Sequence, residues 1–296
     1  EIEVELENHQ GVGGNSGFKN LPFIRGIFNF VDSMVLGTRC LNFSAEFYED
    51  EEEQETKFDK FLNKITGGKA EKVLSAFVVA FSVILAVAIF IVLPYFITSL
   101  FKAYVRSSIL MTIIEGCIRI LIFLLYVVGI SAMKDIKRLY MYHGAEHKCI
   151  NCIERGKPLT VRNVMRSSRL HKRCGTSFMF FVLFISIILF FFIQVSNPVL
   201  KIVLRILLIP VIAGISYEII RLAGRSDNIF IKILSAPGMA IQKLTTKEPT
   251  KDMVEVGIAS VEAVFDWKKF LIEEFNYDPS YFEEESSENT DEDEQA

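Results

Sequence analysis

The stretch LSAFVVAFSVILAVAIFIVLPYFITSL, residues 74–100, carries no charged side chain over its 27 positions. A helix of this length is about 40 Å long and crosses the hydrocarbon core of a bilayer, about 30 Å thick, with some tilt. The stretch therefore predicts a transmembrane helix. The composition agrees, because 51% of the 296 residues are hydrophobic and 26 are Phe, which is more apolar than a soluble domain needs.

Three further apolar stretches predict three more spans. Residues 107–133 are long enough to cross and contain Glu115 and Arg119, four positions apart and therefore on one helical face. Such a pair is tolerated when it faces protein, as a static ion pair or as part of a polar path through the membrane. Residues 177–195 and 197–217 follow each other closely and predict a helical hairpin. We expect an all-α integral membrane protein with about four transmembrane helices in two hairpins.

The segments outside these spans are more polar. Residues 21–45 mix apolar and charged positions, which favours an interfacial or re-entrant helix. Residues 252–275 repeat apolar side chains every three to four positions behind an Asp252 and Glu255 cap pair, which predicts one amphipathic helix. Pro237 followed by Gly238 predicts a helix break upstream of it. In chain order we expect an N-terminal segment (1–20), an interfacial or re-entrant helix (21–45), an acidic linker (46–72), transmembrane helices 1 and 2 (74–133), a basic cytoplasmic loop with a metal site (134–176), transmembrane helices 3 and 4 (177–217), amphipathic cytoplasmic helices (218–275) and a disordered acidic tail (276–296).

Loop charge predicts the orientation. The segment 134–176 carries eleven Lys or Arg against three acids, which predicts that this loop and both termini are cytoplasmic. The basic residues of the turn FKAYVR (101–106), with Lys201 and Arg205, count against this orientation. We expect the basic loop to contact anionic lipid headgroups. Nucleic acid is not an expected partner, because the chain lacks the motifs and aromatic platforms of RNA-binding folds.

The stretch YHGAEHKCINC, residues 142–152, concentrates residues that bind metals. If residues 134–147 continue the second span as a helix, His143 and His147 project from one face at the i, i+4 spacing that offers two imidazoles to one ion. Glu146 completes the pattern H-x-x-E-H, in which the carboxylate polarises a metal-bound water. Gly144 weakens the helix but lets a second backbone approach closely.

A second group of ligand-type residues precedes the third span. In SRLHKRCGTSF, residues 168–178, His171 and Cys174 supply a third and a fourth candidate ligand. A set of histidines and one thiolate favours zinc over magnesium or calcium. Cys149 and Cys152 form a C-x-x-C that is an alternative completion of the site. Four protein ligands would make a structural site and three would make a catalytic one, and the sequence leaves both open.

Four segments together resemble the YqhQ-like family of bacterial membrane proteins of unknown function. They are YHGAEHKCINC, LTVRNVMRSSRLHKRCGTSF (159–178), AGISYEIIRLAGR (213–225) and SAPGMAIQKLTTKEP (235–249). The resemblance runs from about Leu21 to Phe265 and implies a multi-pass protein of the bacterial inner (plasma) membrane. It also implies metal dependence through His143, Glu146, His147, His171 and Cys174. Family members carry a GGQAVIEGVMMR-like segment where this chain has EIEVELENHQGVGGNSG (1–17), so a ligand from that segment would be additional to these five.

Three functional classes follow. The first is an accessory or interaction subunit of a membrane machine, such as the protein secretion or insertion apparatus, with zinc in a structural role. The second is a zinc-dependent membrane hydrolase with Glu146 as general base. The third, and the least favoured, is an ion or small-molecule transporter using Glu115 and Arg119, because four spans without internal repeats are few for a transporter.

Overall fold

The computed structural model describes residues 2–6, 8–9, 11, 21–46, 70–193, 195, 197–225 and 228–282. Within these ranges all regular structure is helical, as predicted. Most of the predicted linker (46–72), from 47 to 69, and most of the predicted tail (276–296), from 283 onward, lie outside them. The helices are α1 (Ile24–Glu46), α2 (Ala70–Val87), α3 (Leu93–Ser99), α4 (Ser108–Ser131), α5 (Lys134–Glu154), α6 (Val161–Arg166), α7 (Gly175–Phe191), α8 (Pro198–Leu207), α9 (Ile209–Arg225), α10 (Ile229–Thr245), α11 (Lys251–Glu262) and α12 (Trp267–Phe275).

The chain forms two compact units. Unit 1 comprises Glu1–Asn8, Val127–Phe180 and Ile220–Ala296. Unit 2 comprises His9–Tyr126 and Phe181–Ile219. Nearly all of the apolar helices fall in unit 2, and the ligand-type residues fall in unit 1.

Within the described residues, two helical rods are long and apolar enough to cross a membrane. The first is Phe77–Ala103, in which α2 continues through a π-helical turn (Ala88–Val92), α3 and a 3₁₀ turn (Leu100–Ala103), and the second is α4. The pair α8 and α9 adds a third candidate if its 41° bend lies within one span. Helix α7 is apolar but has 17 residues, about 25 Å of helix against a hydrocarbon core of about 30 Å. The described part of the chain therefore contains two to three candidate spans, whereas the sequence predicted four.

Pro94 interrupts the hydrogen bonds of the first rod. A proline lacks the N–H that would bind a carbonyl of the preceding turn. Arg119 Nε donates to the carbonyl oxygen of Phe90 at 3.1 Å, so a side chain of α4 bonds the backbone of the turn before Pro94. The ion pair within α4 thus also supports the neighbouring rod.

The core of unit 1 brings α5, α11 and α12 together. It contains ten buried residues, which are Ala145, Cys149, Cys152, Ile153, Leu159, Val164, Val254, Trp267, Leu271 and Phe282. Gly257 of α11 permits close contact with α5, because a Cβ at this position would lie 3.2 Å from Cys149 Sγ. This packing buries one face of α5 and leaves the neighbouring face for the candidate site.

Three local sequence predictions for unit 1 are wrong. Residues 134–147 do not continue the second span, because Met133 adopts an extended conformation (φ −70°, ψ 137°) and α5 begins as a separate helix. Pro237 does not end a helix but lies inside α10. The contacts of its neighbours hold α10 in place: Gly238 packs closely on Ser177, and Gln242 donates to the carbonyl of His171 and to the Ser177 hydroxyl.

The third wrong prediction concerns residues 252–275, which form two helices rather than one. Thr250, not Asp252 with Glu255, caps α11 through the N–H of Met253. Asp266 accepts from Lys269 N at 2.9 Å and caps α12. Both caps have side-chain oxygens that satisfy free N–H groups of a first helical turn.

Candidate metal centre

His143, His147 and Cys174 converge in unit 1. Their ligand-type atoms all lie within 4.8 Å of one another, and Cys174 Sγ is 3.3 Å from His143 Nε2. Ligand atoms around a tetrahedral zinc ion lie about 3.3–3.7 Å apart, given bonds of about 2.0–2.3 Å. The three residues therefore fit one zinc ion after adjustments of about 1 Å. They are the one such group within the described residues.

Backbone carbonyls fix the orientation of both imidazoles. His143 Nδ1 lies 3.0 Å from the carbonyl oxygen of Thr245, and His147 Nδ1 lies 2.7 Å from that of Arg169. A carbonyl only accepts, so each Nδ1 carries the proton and donates it, and in the neutral ring each Nε2 keeps a lone pair. Zinc-binding histidines are held by the same kind of outer contact.

Side chains of α5 hold the segment that supplies one of these carbonyls. Lys148 Nζ and Asn151 Nδ2 each donate to two backbone oxygens, all four within residues 165–170, at 2.8–3.1 Å. Lys148 is 4% exposed and also pairs with Glu248 at 3.0 Å. His147 donates to the same segment, so one turn of α5 both anchors it and presents a candidate ligand.

Gly144 brings the second carbonyl within reach. A Cβ at this position would collide with the carbonyl oxygen of Lys247, and Lys247 N donates to Tyr140 O at 2.8 Å. The chain that follows α10 can therefore run directly against α5, which places Thr245 beside His143. The predicted close backbone approach at Gly144 is confirmed.

Cys174 lies where a thiolate is favoured. It is 5% exposed, and burial alone would raise its pKa, but hydrogen bonds from His143 and His147 outweigh burial and lower the pKa to about 5. Thr176 N also donates to Sγ at 3.4 Å. For His143, burial opposes the charged form, whereas the hydrogen bond with Cys174 raises its pKa above the ordinary value. The thiolate form is the one that binds a metal.

His171, a candidate ligand from the sequence, lies beside this group but makes other contacts. Its ring centre is 5.9 Å from that of His147, and its Nε2 is 3.1 Å from Glu154 Oε2. Gln242 of α10 holds the backbone of His171 on both sides, accepting from its N–H at 3.0 Å and donating to its carbonyl at 2.7 Å. The structure thus brings three of the four candidates together.

The remaining candidates are placed differently. Cys149 and Cys152 lie in the core of unit 1, where burial raises the pKa of Cys149 to about 12 and raises that of Cys152 as well. The Cys152 thiol lies 3.4 Å from the carbonyl of Pro158. Glu146 is exposed on α5, between the two histidines in sequence and close enough to influence the charge of His143.

Sequence reasoning missed the residues that position the site. Lys148 counted only as one of eleven basic residues, and Asn151, Gln242 and Thr245 were not singled out. The available signal was the spacing of His147, Lys148 and Asn151, three side-chain donors within about one turn of a helix.

Comparison with known proteins places the chain in a family. Residues 21–267 match the family described as "Protein of unknown function (DUF1385)". The chain is 35% identical over 265 residues to "Uncharacterized protein YqhQ" of Bacillus subtilis (strain 168), covering 89% of this chain and 82% of that protein. No solved structure matches the chain. The protein therefore belongs to the DUF1385 family, as the resemblance of its motifs indicated.

Proposed function

We propose that this membrane-associated protein binds one zinc ion through His143, His147 and Cys174 and acts as a zinc-dependent hydrolase at the membrane surface. The convergence of three candidate ligands, rather than four, carries this proposal. Zinc sites with three protein ligands leave the fourth position to water or substrate, whereas structural sites are closed by four. The contact of His171 with Glu154 supports a count of three.

The surrounding residues have roles in such a centre. A zinc ion supplies Lewis-acid activation of water at neutral pH. The carbonyls of Thr245 and Arg169 hold the two imidazoles in the tautomer that binds a cation. Glu146 is exposed and next to His147 in sequence, so its carboxylate is available to accept a proton from the attacking water.

A second candidate is a structural zinc in an accessory subunit of a membrane machine, such as the secretion or insertion apparatus. Burial favours it, because His147 is 3% exposed and Cys174 is 5% exposed. In this role the ion would tie the chain around 169–174 to α5, and the exposed basic residues of 134–176 would dock a partner protein or anionic headgroups. Most of these basic side chains are exposed, with Lys148 buried.

Cobalt substitution separates the two candidates. The purified protein should bind one zinc per chain, and its cobalt form should show thiolate-to-metal absorption that Cys174→Ser removes and Cys117→Ser retains. Cys117 is a suitable control because it is an exposed free cysteine. If added azide changes the cobalt spectrum, a coordination position is open and the hydrolase is supported. If azide changes nothing, the site is closed and the accessory role is supported.

The absence of stoichiometric metal in protein prepared without chelators would contradict both roles. Glu146→Gln tests the hydrolase further. It should abolish function in cells while zinc content stays at one per chain, and loss of zinc in this variant would instead show that Glu146 serves the fold.

We also propose that the chain crosses the bacterial inner membrane four times, with both termini and the basic loop in the cytoplasm. The two long rods, the apolar α7 and the bent pair of α8 and α9 support four crossings. Single cysteines at Tyr104 and Leu139, both exposed, test the topology in a variant without native exposed cysteines. A membrane-impermeant thiol reagent applied to spheroplasts should label Tyr104→Cys and not Leu139→Cys, and the reverse result would invert the topology.

A further inference from the structure

Unit 2 contains a buried cluster of charged side chains with an excess of positive charge. Glu115, Arg119 and Arg205 are 5%, 3% and 1% exposed. Arg119 Nη2 donates to Glu115 Oε1 at 2.8 Å, and Arg205 Nη2 donates to Glu115 Oε2 at 2.8 Å. Two guanidinium groups thus share one carboxylate. Buried charges are normally balanced, so one positive charge lacks a counter-ion among the described residues of this cluster.

Further cations lie next to this cluster. The ring of Tyr95 has Lys102 Nζ at 5.7 Å, Lys201 Nζ at 5.4 Å and Arg205 Cζ at 5.5 Å from its centre. The Nε of Arg205 is buried and has no hydrogen-bond partner within the described part of the chain. A buried donor without a partner is costly, which adds to the unbalanced positive charge of this cluster.

A cavity of about 230 Å³ opens at the same place. It is several times the volume of one water molecule, about 30 Å³. Tyr95 and Glu115 line it together with three basic residues, Lys102, Arg106 and Lys201. These three come from the 3₁₀ turn after α3, from the turn before α4 and from α8, so cations from three segments surround one space.

We propose that this cavity binds a phosphate group. Three basic side chains from different directions suit an anion with several oxygens, and phosphate is the common biological anion of this kind. Arg205 lies 5.5 Å from the centre of the Tyr95 ring and adds positive charge beside the cavity. The phosphate is either the headgroup of an anionic phospholipid or a free phosphate, since both offer the same oxygens to the site.

Two probes test this site at fixed ionic strength. Delipidated protein is titrated with inorganic phosphate by calorimetry, and its binding of phosphatidylglycerol is counted by native mass spectrometry against phosphatidylcholine. Lys102→Gln combined with Lys201→Gln should weaken binding at least about tenfold, because it removes two positively charged hydrogen-bond donors that line the cavity. The control combines Lys251→Gln with Lys269→Gln, which removes the same charge from exposed positions of unit 1.

The outcomes separate the sources of the phosphate. If the protein binds phosphatidylglycerol but does not bind inorganic phosphate, the site belongs to a lipid headgroup. If it binds inorganic phosphate, the site belongs to a free phosphate. Either result supports the site only if the cavity variant loses binding and the control keeps it. No binding of either probe, or equal losses in the two variants, would overturn the proposal. We expect zinc content to be unchanged in both variants, because none of the four lysines belongs to the group of His143, His147 and Cys174, so failure of this test and failure of the proposed function can be told apart.

Discussion

Unit 1 buries the group of His143, His147 and Cys174, and unit 2 buries the cluster of Glu115, Arg119 and Arg205. The two groups are suited to ligands of opposite charge. In the first, backbone carbonyls accept hydrogen bonds from the Nδ1 atoms of both histidines, so that in the neutral rings the two Nε2 atoms, with the Cys174 thiolate, are free to bind a cation. In the second, two guanidinium groups share one carboxylate. The first group suits a cation and the second suits an anion. The difference follows from the side-chain types together with their partners: imidazoles held by carbonyls beside a thiolate can bind a cation, whereas two guanidinium groups on one carboxylate leave positive charge in excess.

Removing the shared carboxylate should have the largest effect. Glu115→Gln leaves two buried guanidinium groups without a counter-charge, and breaking a buried ion pair costs about 3–5 kcal/mol. We expect a large loss of stability in detergent, measured by chemical unfolding, while Glu146→Gln at an exposed position changes stability little. Unchanged stability in Glu115→Gln would show that the two arginines find another anion.

Replacing all three charged residues of the cluster by apolar ones separates its contribution to stability from its contribution to phosphate binding. Glu115→Leu with Arg119→Met and Arg205→Met removes the cluster as a whole, and such replacements are often neutral or stabilising by about 1–4 kcal/mol. We expect stability to exceed that of Glu115→Gln while phosphate binding falls. Phosphate binding equal to that of the unmodified protein would contradict a role for the arginines.

Removing the thiolate should have the next largest effect. Structural zinc sites bind with about 10–16 kcal/mol shared among their ligands, so one ligand contributes about 3 kcal/mol or about 100-fold in affinity. We expect Cys174→Ser to lose zinc affinity by this factor in competition with a chromophoric chelator. Cys117→Ser should bind zinc as the unmodified protein does, and an equal loss there would point to unfolding.

The pH dependence of Cys174 gives a smaller, spectroscopic effect. Its lowered pKa of about 5 keeps the thiolate charged above pH 5, whereas an ordinary thiol becomes charged near pH 9. In metal-free protein, the difference in thiolate ultraviolet absorbance between the unmodified chain and Cys174→Ser should therefore rise around pH 5. His143→Gln should move that rise to higher pH, since it removes a hydrogen bond that favours the thiolate. A midpoint near 9 in the unmodified protein would contradict the described geometry.

Changing His171 should have the smallest effect on metal. Because its Nε2 faces Glu154, we expect His171→Ala to keep one zinc per chain with less than about tenfold change in affinity, which is smaller than the loss of about 10–100-fold that follows removal of a hydrogen-bond partner of a metal ligand. His147→Ala should lose the metal. If both variants lose zinc equally, His171 is a fourth ligand and the site is structural.

Sequence patterns located much of this arrangement. The i, i+4 spacing of His143 and His147 placed two imidazoles on one face, and that spacing holds even though α5 begins separately from α4. Glu115 and Arg119 were paired by the same rule. The sequence did not reveal the contact of Arg205 with Glu115, 90 positions away, or that of Gln242 with His171, 71 positions away. Contacts between distant segments leave no periodic pattern in the sequence.

The sequence by itself determined an all-helical, membrane-associated chain with ligand-type residues in one basic segment. Hydrophobic run length and helical spacing are local properties, so they can be read without a fold. Only the tertiary structure decided which candidates meet and how each is oriented. His171 turns to Glu154, Cys149 and Cys152 enter the core, and Thr245 and Arg169 supply carbonyls to the two imidazoles. These choices depend on close contacts such as Gly144 against Lys247, which exist only after distant segments pack.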